Sequence, residues 1–246
     1  MTKFIPNTIT SLNLAAGFFA IIYAAGGDPV TASWLILAAM VFDFLDGFSA
    51  RALKAYSDIG KELDSLADIV SFGVAPAVII YQQIYSLTVL ESSGLSIAES
   101  SGAGILPFIA AIMPVCAALR LAVFNLDTTQ TTSFRGLPTP ANALVVVSLI
   151  LSEYLSGSKA VSYINSSPVI LVILTLVLSL FMVSRVPLLS LKFHDLKLKG
   201  NEGRFLLAGM IVVSFAVLRL NAIPLVIPVY IAASLISLLF KKPAVG

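Results

Sequence analysis

Asp43, Asp46, Asp64 and Asp68 stand in a chain of 246 residues that is otherwise strongly apolar. At 100° per residue, Asp43, Asp46, Gly47 and Ala50 fall within roughly 100° of one another on a helix. Gly60, Asp64 and Asp68, each four residues apart, stack on one face of a following helix. A turn around Ala55 to Ile59 would fold the second helix back on the first and bring the four carboxylates together. Each ionised carboxylate costs about 2.5 to 3.5 kcal/mol in the middle of a bilayer, so four in one pocket need neutralising. Carboxylate oxygens select hard cations, Mg²⁺, Mn²⁺ or Ca²⁺, over Zn²⁺. Four are enough for two such ions, an arrangement that clamps the attacking and leaving oxygens of a phosphoryl displacement. A phosphate-bearing substrate is therefore expected. Arg51, next to this stripe, can donate two parallel hydrogen bonds to a phosphate, and the small residues Gly47 and Ala50 leave room for a ligand against the helix.

The elements that position these residues are membrane helices. The chain is 58% hydrophobic and 11% charged, with mean hydropathy +0.99, whereas soluble domains carry about 25% charge. Apolar runs long enough to span about 30 Å are predicted at 8–26, 30–54, 60–86, 104–126, 138–156, 167–190, 204–220 and 222–240. The expected fold is an all-α polytopic membrane bundle of eight transmembrane helices, forming one domain over residues 1–246 with a core at about 5–190 and additional helices at about 204–240. With eight spans, 13 of the 15 Lys and Arg residues fall on one side, leaving Lys159 and Arg219 on the other. The positive-inside rule then predicts both termini, and the turn of the acidic hairpin, on the cytoplasmic side.

The single Cys116 excludes an internal disulfide and reads as a thiol within an apolar helix. The start of the chain has no small-residue cleavage site after a short apolar core, so it reads as retained chain. The segment from Leu87 to Ala103 carries Glu91 and Glu99 and no base, and is expected outside as a flexible connection. His194 reads as a solvated residue in a basic loop whose Lys192, Lys197, Lys199 and Arg204 attract anionic headgroups. Nothing indicates nucleic-acid binding.

Asp43, Asp46, Gly47, Ala50, Arg51, Gly60, Asp64 and Asp68 fit D-x2-D-G-x2-A-R-x8-G-x3-D-x3-D at all eight positions. This resembles the signature of the class I CDP-alcohol phosphotransferase family. The resemblance implies that Asp43, Asp46 and Asp64 are metal ligands, with two Mg²⁺ or Mn²⁺ ions expected and Ca²⁺ a possible non-productive occupant. It implies that Asp68 is the general base and also touches a metal. Cytidine of a CDP-diacylglycerol donor would lie against Gly47 and Ala50, with Arg51 and Gly60 in the same site. Asn7 and Thr10, near the predicted start of the first helix, would reach the nucleotide diphosphate; N-capping is an alternative use of that polar turn. A homodimer is also what the resemblance implies; the expected setting is a bacterial-type inner membrane, with the site at the cytoplasmic face among membrane lipids.

Three further stretches, LRLAVFN around Arg120, FRGLPTPANA from Phe134 to Ala143, and FMVSRVP from Phe181 to Pro187, resemble the phosphatidylserine synthase branch. In the first, Val123 stands where that branch commonly has a second Arg. The branch resemblance implies L-serine as acceptor, CMP as product and phosphatidylserine as the lipid made. Arg120, Asn125 and Arg135 are the candidate acceptor contacts, with Arg185 next. Ser71, Phe72, Gly73 and Pro76 read as close packing or a kink in the third span. Two other readings stay open: glycerol 3-phosphate or an inositol phosphate as acceptor, and a cation transporter using the carboxylates as an ion path.

Overall fold

The computed structural model describes residues 4–90, 103–126, 134–188 and 202–240. The basic loop with His194, the Glu91 and Glu99 connection, Lys3, Lys241 and Lys242 lie outside them, as do the side chains of Arg135 and Arg204.

Helix α1 (Phe4–Ala25) starts in a polar turn whose hydroxyls bond back along the helix, Thr8 to the Phe4 carbonyl, Thr10 to Pro6 and Ser11 to Asn7. These bonds let polar residues sit in a membrane helix without leaving donors unmet. Helix α2 (Pro29–Ala52) is capped by Asp28, whose Oδ1 accepts from the Thr31 amide at 3.0 Å, with Pro29 pre-set for the first turn. That bond holds the Asp28 carboxyl below the usual carboxylate range. A turn through Lys54, at φ 49, leads to α3 (Asp58–Asp68). There Ser57 is the N-cap, accepting from the Gly60 amide at 3.1 Å.

Beyond Asp68 the helix passes through a π-helical segment, Ile69–Val74, into α4 (Ala75–Tyr85). The cause is Pro76, which has no N–H to give the carbonyl of Phe72 four residues back. That carbonyl instead accepts from Asn142 Nδ2 at 3.4 Å. The expected kink is thus a change of helix pitch, anchored by a side chain from another helix. After a 3₁₀ segment, Ala103–Ala111, come α5 (Ile112–Leu126), α6 (Thr139–Ser156), α7 (Lys159–Asn165) and α8 (Pro168–Val183).

Helix α1 packs on α2, α3, α4 and the π segment, so the N-terminal helix is the post around which the acidic hairpin is built. Small buried residues make this possible: Ala16, Ala20 and Ala24 on α1, Ala32 and Ala39 on α2. A Cβ at Gly17 would stand 2.8 Å from the Cα of Ser71, whose hydroxyl donates to the Asn13 carbonyl at 3.0 Å. Large apolar residues point outwards, among them Phe18, Phe19, Trp34, Phe44 and Phe48, as a lipid-facing surface requires.

Six helices among the described residues are long and apolar enough to cross a membrane, or seven if α7 and α8, bent by 83°, count as one span. The expected count was eight, and the difference lies at the C-terminal end. The two spans predicted there fall in one helical stretch, Leu207–Ile236, made of α9 (Glu202–Leu218), a 3₁₀ segment Arg219–Leu225, and α10 (Val226–Phe240). Arg219, at φ 52, interrupts this stretch, and α9 and α10 pack on each other. The third span also continues further than expected, to Thr88.

One short ladder joins two loops. β1 (Phe134–Arg135) pairs antiparallel with β2 (Pro187–Leu188), Phe134 opposite Leu188 and Arg135 opposite Pro187. The Gly136 amide donates to the Val186 carbonyl at 2.9 Å and the Leu137 amide to the Phe181 carbonyl at 3.0 Å. Gly136 has φ +76, and a Cβ there would lie 2.7 Å from the Ser184 carbonyl oxygen. Only glycine fits both the conformation and the space. FRGLPTP and FMVSRVP, far apart in sequence, are therefore one structural unit that sets the start of α6.

Candidate active site

The hairpin of α2 and α3 brings Asp43, Asp64 and Asp68 together with carboxylate oxygens within 4.8 Å of one another. Asp46 lies one turn along the α2 stripe and within electrostatic reach of the other three. Asp46 and Asp68 are buried, and Asp43 and Asp64 are half-buried. Thr10 and Asn13 of α1 sit against Asp46 and Asp68 respectively. Across the cluster, Arg120 of α5 is within electrostatic reach of Asp68.

Three buried carboxylate oxygens, Asp46 Oδ2, Asp64 Oδ1 and Asp68 Oδ1, have no hydrogen-bond partner among the described residues. A buried anionic oxygen without a donor is costly, and one guanidinium beside Asp68 does not neutralise four carboxylates. The donor set is all oxygen, so the residues fit a hard divalent cation.

Two cavities adjoin the cluster. The first, of about 190 Å³, has Asn7 and Thr10 from α1, Asp46, Gly47 and Ala50 from α2, and Gly60 and Asp64 from α3 in its wall, with Tyr56 and Ser57 at the turn. The second, of about 180 Å³, is bounded by Asp64 and Asp68 on α3, Arg120 and Asn125 on α5, and Thr139 at the start of α6. Lys61 and Asp64 belong to both walls. Two compartments thus meet at one carboxylate, the arrangement needed to bring two substrates to one reacting centre.

Residues expected together from the sequence are largely found together. Asn7, Thr10, Gly47, Ala50 and Gly60 surround the first cavity, and Arg120 and Asn125 line the second. Arg51 is exposed, with its guanidinium beside Gly47: a Cβ at Gly47 would be 3.5 Å from Nη1. Arg135 lies in the ladder by its backbone. Arg185 is exposed in the segment preceding β2.

A family model described as CDP-alcohol phosphatidyltransferase matches residues 3–189. The chain belongs to this family. A Helicobacter pylori relative with the curated name CDP-diacylglycerol--serine O-phosphatidyltransferase is 32% identical over 241 residues, covering 96% of this chain and 91% of the relative. A Bacillus subtilis relative of the same name is 34% identical over 193 residues, covering 78% and 93%. A third of that name, from Mycobacterium leprae, is 38% identical over 164 residues; the match covers 63% of this chain but only 49% of that longer protein.

Several residues in this site were not singled out by sequence reasoning. Lys61 occupies a variable position of the signature, yet its Nζ donates to the Asn125 carbonyl at 3.1 Å and it borders both cavities. Ser65 accepts from Asn125 Nδ2 at 2.8 Å. Their signal was available: Lys61, Ser65 and Asp68 follow helical spacing beside Asp64. Thr139 was hidden in a stretch that a proline-rich turn explains equally well. Tyr230 of α10, beyond the family-matched residues, is buried and within electrostatic reach of Arg120, and no pattern in the sequence pointed to it.

Proposed function

We infer that this integral membrane protein transfers the phosphatidyl group of CDP-diacylglycerol to the hydroxyl of L-serine, giving phosphatidylserine and CMP. The observation that carries the reading is the pair of cavities meeting at Asp64, one bordered by the signature residues and the other by Asp68 and Arg120. Serine as acceptor rests on the names of the relatives and on LRLAVFN, FRGLPTPANA and FMVSRVP.

In this reading the first cavity takes the nucleotide. Cytidine lies against Gly47 and Ala50, Asn7, Thr10 and Gly60 border the diphosphate, and Arg51 reaches a phosphate oxygen from the rim. Asp43, Asp46, Asp64 and Asp68 would hold Mg²⁺ or Mn²⁺, two ions fitting the number of carboxylates. A cation held there would supply charge withdrawal from the diphosphate and from the leaving CMP. The second cavity takes serine, with Arg120 and Asn125 of its wall as contacts; Arg135 stays a candidate contact on the branch resemblance alone.

Asp68 accepts the proton of the serine hydroxyl as the oxygen attacks phosphorus. Its position, one helical turn from Asp64 and facing the acceptor cavity, suits that role. Attack is direct, in a ternary complex, with the Asp68 carboxylate as base. The acyl chains stay in lipid while serine and CMP exchange with water, which requires the site to lie near a membrane surface. Arg51, Lys54 and Lys61 around the hairpin turn support a cytoplasmic face by the positive-inside rule. The functional unit is a homodimer.

The test is CMP release from CDP-diacylglycerol by the purified protein, with L-serine, glycerol 3-phosphate, inositol or inositol phosphate supplied in turn. Serine-dependent release with phosphatidylserine as product is expected. Release with a phosphorylated acceptor and none with serine would reject serine while leaving the phosphotransfer chemistry standing.

A further inference from the structure

Thr139 is 1% exposed, and its Oγ1 has no hydrogen-bond partner among the described residues. A hydroxyl in that state is unfavourable unless something else meets it. It borders the second cavity, where Arg120 and Asn125 stand on the facing helix α5. Arg120 Nε is likewise buried without a partner. Two residues with an unmet donor, one neutral and one cationic, thus border one space of about 180 Å³.

Thr139 is also the first residue of α6, an 18-residue helix. The first N–H groups of a helix have no partner within it and carry the positive end of its dipole. Pro140 supplies none, so at this entrance the donors come from Thr139 and its neighbour Ala141. The ladder between residues 134–135 and 187–188, with Gly136 held against the end of α8, fixes where this helix begins.

We propose that Thr139, at the N-terminus of α6, is a specificity-determining residue that binds the carboxylate of the amino-acid acceptor opposite Arg120. This deepens the serine-transfer reading and rests on it. Arg120 supplies the charge, the Thr139 hydroxyl and the helix end supply directed donors, and the acceptor hydroxyl is left facing Asp68. An alcohol without a carboxylate would leave both donors unmet, which is the strongest form of discrimination a polar pocket has.

The experiment measures CMP release by the full chain with L-serine and with L-serinamide, which keeps the hydroxyl and the ammonium but has no carboxylate. Wild-type protein should favour serine by at least about a hundredfold in kcat/KM. Thr139→Val, which removes the hydroxyl at nearly constant shape, should raise KM for serine about tenfold, in line with one hydrogen bond to a charged group. It should affect serinamide little, so that the preference shrinks by the same factor. Thr139→Ser should restore most of it. An unchanged serine KM in Thr139→Val, or equal losses for serine and serinamide, would overturn the carboxylate subsite while the transfer reading stands. Should Thr139→Val fail to fold, Thr139→Ala carries the same comparison, and equal use of serine and serinamide by the wild type overturns the proposal in any case. No serine-dependent CMP release from the wild type would overturn both readings.

Discussion

Asn125, at the end of α5, donates its side-chain amide to Ser65 Oγ on α3 at 2.8 Å, while its own backbone carbonyl accepts from Lys61 Nζ at 3.1 Å. This clasp ties the helix that carries Arg120 to the helix that carries Asp64 and Asp68. Lys61, Ser65 and Asn125 all border the second cavity.

Breaking the clasp should therefore loosen acceptor binding more than donor binding. A single hydrogen bond contributes about 0.5 to 1.5 kcal/mol net, so Asn125→Ala and Ser65→Ala should each raise KM for serine roughly three- to tenfold. Because both remove the same bond, the double variant should be little worse than the poorer single one. Additive losses in a CMP-release assay would mean that the two side chains act separately.

Asp43→Asn, Asp46→Asn and Asp64→Asn keep the shape and remove an anionic oxygen ligand. Each should lower activity by orders of magnitude and shift the Mg²⁺ or Mn²⁺ titration to higher concentration. Asp68→Asn, which removes the base as well as an oxygen ligand, should abolish turnover. Normal metal titrations in the first three variants would remove the cation from the mechanism.

At Gly60 an added Cβ would meet Asn7 Oδ1 and Ser57 Oγ, each at 3.0 Å, whereas at Gly47 it would meet only the Arg51 guanidinium at ordinary contact distance. Gly60→Ala presses on the cap of α3 and on a wall of the nucleotide cavity together. KM for CDP-diacylglycerol should rise several-fold in Gly60→Ala and much less in Gly47→Ala, while Gly47→Leu, which fills the cavity, should be severe. The reverse order of the two alanine variants would place the nucleotide elsewhere.

Gly136→Ala combines a left-handed backbone with a Cβ 2.7 Å from a carbonyl oxygen. The conformation alone costs about 1 to 2 kcal/mol, and the clash adds to it. A lowered Tm of the detergent-solubilised protein is expected, together with weakened serine use, since the ladder positions α6. An unchanged Tm would show that this turn relaxes without cost.

The acidic hairpin was legible in the sequence because its information is local. Helical periodicity alone puts Asp43, Asp46, Gly47 and Ala50 on one stripe and Gly60, Asp64 and Asp68 on another, and the chemistry of clustered carboxylates in an apolar chain points to a hard cation and a phosphate. The membrane character followed from composition for the same reason. Pro76 announced a disturbance in the third span, but that the freed Phe72 carbonyl would find its donor in Asn142, on another helix, was not legible. The C-terminal region was expected as two spans from hydropathy, which registers apolar length; that its two helices, α9 and α10, pack on each other across a break at Arg219 is a tertiary feature. The second cavity was the least legible part. Its walls come from α3, α5 and α6, and its unmet donors on Thr139 and Arg120 exist only because packing buries them without supplying partners. Residue types and spacing determined which groups this protein brings to its centre; the tertiary structure decided which faces they share, since burial and hydrogen-bond satisfaction depend on residues far away in the chain.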